Sequence, residues 1–228
     1  EYDNQYRAVM DWRLGYSAVE NLLGEIDGKR ILDYGCGSGK FSRRMRNLGA
    51  LVTAVDVSTN ALDRAKKRDR TSINYCVIQD NDLSFLGRES INCAVATFVF
   101  CTMQSESQIR NISQQIYEKI TPEGYFIILE PHPLSLGYEY VSMKREKPKR
   151  VASGIPIKVQ LTGMETPFYD YWRSKEDYVR ILDESGFKVD EVREPIVENC
   201  LDETFWKDER IQPPLLIMRA KKIFPASK

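Results

Sequence analysis

Between residues 30 and 130, short apolar runs alternate with stretches of helical periodicity, and this alternation restricts the fold more than any other feature. Arg30 to Tyr34, Leu51 to Val57, Asn74 to Ile78, Ile91 to Cys101 and Tyr125 to Leu129 read as strands. Lys40 to Leu48, Thr59 to Lys67 and Glu106 to Ile120 read as the helices between them. The punctuation agrees. Gly49 stops the first of these helices, Ser58 can cap the second, and Pro122-Glu123-Gly124 turns the chain after the third. The nearly unbroken apolar run from Ile91 suits a parallel strand covered on both faces.

Tyr16 to Leu23 has helical spacing ahead of this region. After Glu130 the regularity lapses into a segment rich in Pro, Gly and Tyr, with short strands expected near Tyr138 to Met143 and Ile157 to Leu161. Lys175 to Ser185 resumes as a helix ended by Gly186, and Phe187 to Arg193 and Leu215 to Ala220 read as the last two strands. Strand and helix in alternation predict an α/β fold with a mainly parallel sheet of seven strands and helices on both faces. The expectation is a single domain over residues 1–228, with an N-terminal lid in 1–29 and a binding core in 30–130. An insertion in 131–174 would cover the site, and 175–228 would supply the closing helix and strands.

Charge and cysteine content narrow the function. Lys plus Arg and Asp plus Glu both number 33, so no net field draws the chain to nucleic acid or anionic membranes. No run of about 18 apolar residues is present, so no bilayer span is expected. Glu1 to Arg13 is charged and aromatic, unlike a secretory signal, although a first residue other than Met leaves room for an earlier segment. Five cysteines without a CxxC pair suggest reduced thiols and a cytoplasmic protein. With His132 the only histidine, no metal site is expected.

The strongest local signal is Asp33-Tyr34-Gly35-Cys36-Gly37-Ser38-Gly39. A buried strand ends there, glycines let the backbone turn tightly against a ligand, and a helix N-terminus follows. Asp56 ends the next strand, where a carboxylate can accept both hydroxyls of a ribose. A dinucleotide fold would want G-x-G-x-x-G, but the sixth position is Lys40, and Asp33 would repel a diphosphate. The same carboxylate suits a ligand that carries an ammonium group and no phosphate.

The segment resembles motif I, D-x-G-x-G-x-G, of the class I S-adenosylmethionine-dependent methyltransferases. Val55-Asp56-Val57-Ser58 is similar to the second motif, Gln79-Asp80-Asn81-Asp82 to the third, and Thr97-Phe98-Val99-Phe100 to the end of the fourth strand. Thr121 to Tyr125 resembles the turn before strand five, with Glu123 in place of a glycine. More loosely, Tyr171 to Phe187 is similar to the last helix and strand of small-molecule members. The resemblance implies a Rossmann-like fold and methyl transfer from S-adenosylmethionine to a small molecule, leaving S-adenosylhomocysteine. It places Asp33, Gly35, Cys36 and Gly37 around the cofactor, Asp56 on its ribose, Val57 against the adenine, Asp80 and the Asn81 backbone on the adenine edge, and Phe98 beside it. Arg13 would meet the cofactor carboxylate.

For the acceptor, Tyr6, Tyr171 and Trp172 are the candidates, with Phe168 and Tyr169 either walling a pocket or packing the insertion down. His132, in Glu130-Pro131-His132-Pro133, could remove a proton from the acceptor, as could Glu130; the plainer reading of His132 is that it shapes the loop. Lys144 to Arg150 reads as a solvated basic loop or an attractor of acidic groups. Methylation of RNA or protein, a non-catalytic cofactor-binding subunit, and an NAD-dependent oxidoreductase are the rival readings. A monomer or homodimer is expected.

Overall fold

A computed structural model of the chain describes residues 10–197 and 206–223. Helix α1 (Met10–Leu23) precedes β1 (Arg30–Tyr34), α2 (Lys40–Asn47), β2 (Leu51–Asp56), α3 (Thr59–Arg68), β3 (Asn74–Val77) and β4 (Ile91–Thr97). Then come α4 (Glu106–Lys119), β5 (Ile120–Pro131), three short strands β6 (Met143–Arg145), β7 (Pro156–Leu161) and β8 (Phe168–Tyr171), and α5 (Lys175–Glu184), β9 (Phe187–Arg193) and β10 (Leu215–Lys222). The main sheet has seven strands in the order β3-β2-β1-β4-β5-β10-β9. Only β10 runs against its neighbours; β1 to β5 pair in parallel wherever they touch. This is the Rossmann-like α/β arrangement that the strand and helix alternation requires.

The unbroken apolar runs make sense in this sheet because successive residues feed opposite cores. Ile31, Cys93, Val95, Ile127 and Leu129 face a layer with Val19 and Leu22 of α1, Phe41 and Met45 of α2, and Leu62 and Ala65 of α3. Leu32, Ala94, Ala96, Phe126 and Ile128 face the other layer, with Ile109, Ile112 and Ile116 of α4 and Ile181 and Leu182 of α5. Ser58 does cap α3, its hydroxyl accepting the Ala61 N–H at 3.2 Å. Ser174 and Asp177 form a reciprocal capping box on α5. Among the described residues no helix is long and apolar enough to cross a membrane.

Three details differ from the sequence expectation. Strand β4 ends at Thr97 rather than Cys101, because Phe98 takes a left-handed φ of 57° and Phe100–Thr102 winds into a 3-10 turn. Its apolar residues are buried as loop, not as strand. Strand β5 begins at Ile120, and its pairing with β4 slips between Ile120 and Tyr125, so the Pro122-Glu123-Gly124 turn is a bulge within the strand. In the insertion, the first short strand starts at Met143, and the unanticipated β8 completes an antiparallel three-stranded sheet with β6 and β7.

Candidate active site

Strand order reverses around β1, which lies between β2 and β4, and a crevice opens beyond the carboxyl ends of these strands. The loop out of β1 fills its floor. Gly35, Gly37 and Gly39 all have left-handed φ, at 69°, 53° and 70°. A Cβ on Gly35 would lie 2.5 Å from Val99 Cγ2, whereas one on Gly37 would project into open space. The two glycines therefore serve different ends: one admits a neighbour of the chain, the other leaves a vacant face.

Asp56 is tied into this loop, with Oδ2 accepting the Gly37 N–H at 2.7 Å and Oδ1 the Ser58 N–H at 2.8 Å. Each oxygen keeps a further lone pair, so the carboxylate is oriented without being exhausted. Tyr34 donates its hydroxyl to Asn81 Oδ1 at 2.9 Å, fixing the third loop against the first. Asp80 and Asn81 both hold left-handed φ, at 49° and 60°. A cleft of about 200 Å³ is lined by Tyr34, Gly35, Asp56, Val57, Asn81 and Phe98, together with Ile78, Val99, Thr102 and Met103. Val57 is 60% exposed on its rim, an apolar side chain with a free face.

Asp33 lies under the glycine loop and is 1% exposed. Its Oδ2 accepts the Ser42 hydroxyl, while Oδ1 has no partner. Burial, only partly offset by Ser42 and reinforced by the charge of Asp56, pushes its carboxyl up to about 7. Cys36 is buried and its thiol is pushed well up, again by burial and then by Asp33 and Asp56.

A second cavity, of about 170 Å³, adjoins the cleft and shares Phe98 and Thr102 with it. Its other walls are Cys101, Pro131, Met143, Val159, Leu161, Phe168 and Asp170. The partition between the two spaces is the turn after β4, and it is clamped from both sides. Glu130 accepts the N–H groups of Phe100 and Cys101, each at 2.9 Å, and Arg173 donates to the carbonyls of Phe100 at 3.2 Å and Gln104 at 2.7 Å. Burial pushes the Glu130 carboxyl up to about 7, against the pull of those N–H groups.

The remaining candidates fall elsewhere. His132 lines neither space; it is buried, its Nδ1 accepts the Leu134 N–H at 3.1 Å, and Nε2 lies 3.2 Å from Glu194 Oε1. Burial holds its pKa below the usual value. Trp172 donates its indole N–H to the Pro133 carbonyl at 2.9 Å, and neither it nor Tyr171 lines the cleft or the cavity. Asp80 is exposed and Arg13 sits exposed on α1, both outside the lining, and Tyr6 lies outside the described residues. The basic run is not merely a solvated loop: Arg145 is 2% exposed and pairs with Asp170 through two bonds of 2.9 and 3.0 Å.

An adenosyl amino acid suits this floor. The Asp33 Oδ1 lacks a hydrogen-bond donor, the open face of Gly37 would be lost to any side chain, and the one charged residue lining the cleft is Asp56, a carboxylate that a diphosphate would find repulsive. Fold and cleft together define an enzyme of the Rossmann-like, adenosyl-binding class. A sequence model described as a methyltransferase domain matches residues 4–192. N-demethylindolmycin N-methyltransferase of Streptomyces griseus is 30% identical over 191 residues, covering 79% of this chain and 81% of that protein. The solved structure of an S-adenosylmethionine-dependent methyltransferase from Mesorhizobium loti superposes with a TM-score of 0.66 at 20% identity, over 92% of this chain and 98% of that one. The 1,6-didemethyltoxoflavin-N1-methyltransferase of Burkholderia thailandensis, solved with S-adenosylhomocysteine and 1,6-didemethyltoxoflavin bound, gives 0.62 at 14% identity, over 98% and 84%. The chain belongs to the methyltransferase-domain family and is an S-adenosylmethionine-dependent methyltransferase.

Proposed function

We propose that the methyl acceptor is a small molecule. The observation that carries this reading is the cavity beside the cofactor cleft: it is compact, walled by the insertion, and joined to the cleft only by Phe98 and Thr102 among the lining residues. An RNA or protein acceptor would call for a long open groove rather than a compact recess of about 170 Å³. Both relatives with a named acceptor bear small-molecule names, indolmycin-type and toxoflavin-type, and this supports the same reading.

In this reading Asp33, Gly35, Cys36 and Gly37 form the floor for the amino-acid end of the cofactor, and Asp56 receives the ribose hydroxyls. Val57 offers its free face to the adenine, and Asp80 and Asn81 border its edge. When bound, S-adenosylmethionine supplies an electrophilic methyl carbon whose transfer removes positive charge from sulfur. The chain's task is then alignment and exclusion of water more than proton transfer. Phe98 sits at the junction and orients the two partners, while Glu130 and Arg173 keep the partition in place. His132, held by Leu134 and Glu194, acts by shaping the exit of β5.

Incubating the protein with isotopically labelled cofactor and a fractionated cell extract tests the proposal. Label is expected in the low-molecular-weight fraction, on a compound heavier by one methylene; label confined to RNA or protein would refute it. In calorimetry, Asp56→Ala is expected to weaken S-adenosylhomocysteine binding by about 100-fold, since two hydrogen bonds to a charged group are lost at roughly 1.5 kcal/mol each. Unchanged affinity would remove Asp56 from the site.

A further inference from the structure

The cavity beside the cofactor cleft has a chemical character specific enough to limit what enters it. We propose that it is the acceptor pocket and that it selects an uncharged, mainly apolar molecule of one or two rings, which presents a single N–H or O–H to the Asp170 carboxylate. The proposal rests on the small-molecule reading above and deepens it.

Size comes first. The space is about 170 Å³. An apolar protein cavity of roughly 150 Å³ holds benzene, so one ring fits easily and two fused rings nearly fill this one. Shape and surface come next. Pro131, Met143, Val159, Leu161 and Phe168 present carbon or thioether to the space. Cys101 contributes a buried thiol whose pKa is raised by burial, so it stays neutral. The Thr102 hydroxyl already donates to the Val99 carbonyl at 2.7 Å.

That leaves one charged wall, and its charge is already balanced. Asp170 and Arg145 are each 2% exposed. The guanidinium grips both carboxylate oxygens, and its Nη1 donates to Ser135 Oγ at 2.9 Å and the His132 carbonyl at 3.0 Å. An incoming cation would find no uncompensated anion, and an incoming anion would face a carboxylate in an apolar chamber. Either would lose its hydration without return. A neutral donor has no such difficulty. Each Asp170 oxygen takes one bond from Arg145 and retains a lone pair for a second. The pocket thus rewards one hydrogen bond and penalises net charge of either sign.

Three probes built on the same two-ring frame separate these elements: indole, which has one N–H; benzothiophene, which has none; and indole-3-carboxylate, which is anionic, read against the equally sized neutral indole-3-carboxamide so that charge is separated from bulk. Each is titrated by calorimetry and saturation-transfer NMR into the full chain saturated with S-adenosylhomocysteine. Indole is expected to bind, benzothiophene about tenfold more weakly for loss of a charge-assisted hydrogen bond, and the carboxylate not measurably. Leu161→Trp, which fills the cavity from a half-buried position, is expected to weaken indole at least tenfold while S-adenosylhomocysteine affinity and melting temperature hold. Val159→Phe serves if the first variant does not fold.

Indole that fails to bind, that binds a filled variant as well as the parent, or that is matched by its carboxylate overturns the proposal. The comparison of three probes on the unaltered protein decides it even if both variants unfold. Because binding is read separately from the fate of the label, a wrong pocket and a wrong acceptor class give different results: no indole binding with methylated metabolites present sinks only the pocket, whereas label in RNA sinks the small-molecule reading.

Discussion

Gly35 and Gly37 are two positions apart in one motif, yet substituting each with alanine should damage different properties. Both have left-handed φ, at 69° and 53°, so each alanine incurs roughly 1–2 kcal/mol of backbone strain. At Gly35 the new methyl also meets Val99 at 2.5 Å, and Val99 is 7% exposed, with little room to retreat. Overpacking of this kind costs roughly 1–3 kcal/mol, which brings Gly35→Ala to about 2–5 kcal/mol in all. For a chain of this length that lowers the melting temperature by about 4–20 °C. At Gly37 nothing lies within 4 Å of the added carbon, so only the strain applies and the drop is about 2–8 °C. The cost there falls on the ligand, whose space the methyl occupies, and affinity for S-adenosylhomocysteine should drop at least about tenfold. Differential scanning calorimetry and titration calorimetry read the two effects separately. The double variant Gly35→Ala/Val99→Ala should be less destabilised than the sum of its parts by about 1–3 kcal/mol, because the second change removes the colliding methyls. Additivity within about 0.5 kcal/mol would refute the clash. A Gly37→Ala protein that binds normally would refute the assignment of its open face to the ligand.

Other perturbations give equally definite outcomes. Asp33 titrates near 7 when folded and near 3.8 when unfolded, so between those values the folded state holds the extra proton and stability falls as pH rises. Asp33→Asn should therefore make the melting temperature fall less, or rise more, between pH 4 and pH 7 than in the parent, while Glu130 and Asp170, raised in the same direction, keep their own share of the pH dependence. Asp170→Ala leaves the Arg145 guanidinium buried and unpaired, at about 3–5 kcal/mol, while Arg145→Met with Asp170→Leu should recover most of the loss in a denaturant titration. His132→Ala should lower the melting temperature yet leave the pH profile of kcat unchanged; a profile that loses its acidic limb would make the imidazole a proton acceptor.

The sheet and the glycine loop that floors the cleft were legible because their constraints are local. Alternating strand and helix signals, the Asp33-to-Gly39 segment and Asp56 at a strand end each carry their meaning in a few neighbouring residues. The second cavity was not, because it depends on contacts distant in sequence. Cys101, Pro131, Met143, Val159 and Phe168 converge only once the insertion folds back on β4 and β5. Val159 and Leu161 read as part of an ordinary strand, and Trp172 invites a pocket role by composition although its indole is committed to Pro133. The Ile91-to-Cys101 run misled in a different way: hydrophobicity announces burial and not the backbone shape in which burial occurs, and Phe98 turns where a strand would continue.

Met143, Val159, Leu161 and Phe168 all belong to the small antiparallel sheet, and none of the four lines the cofactor cleft. In the proposed reading the methyl donor's seat and the acceptor pocket are walled largely by separate pieces of chain that meet at Phe98 and Thr102, while the Arg145–Asp170 ion pair ties the strands of the insertion to each other. Sequence drift in the insertion can remodel the chamber while the methyl donor's seat stays untouched, so divergent descendants of such a protein can acquire new acceptors without first losing their turnover.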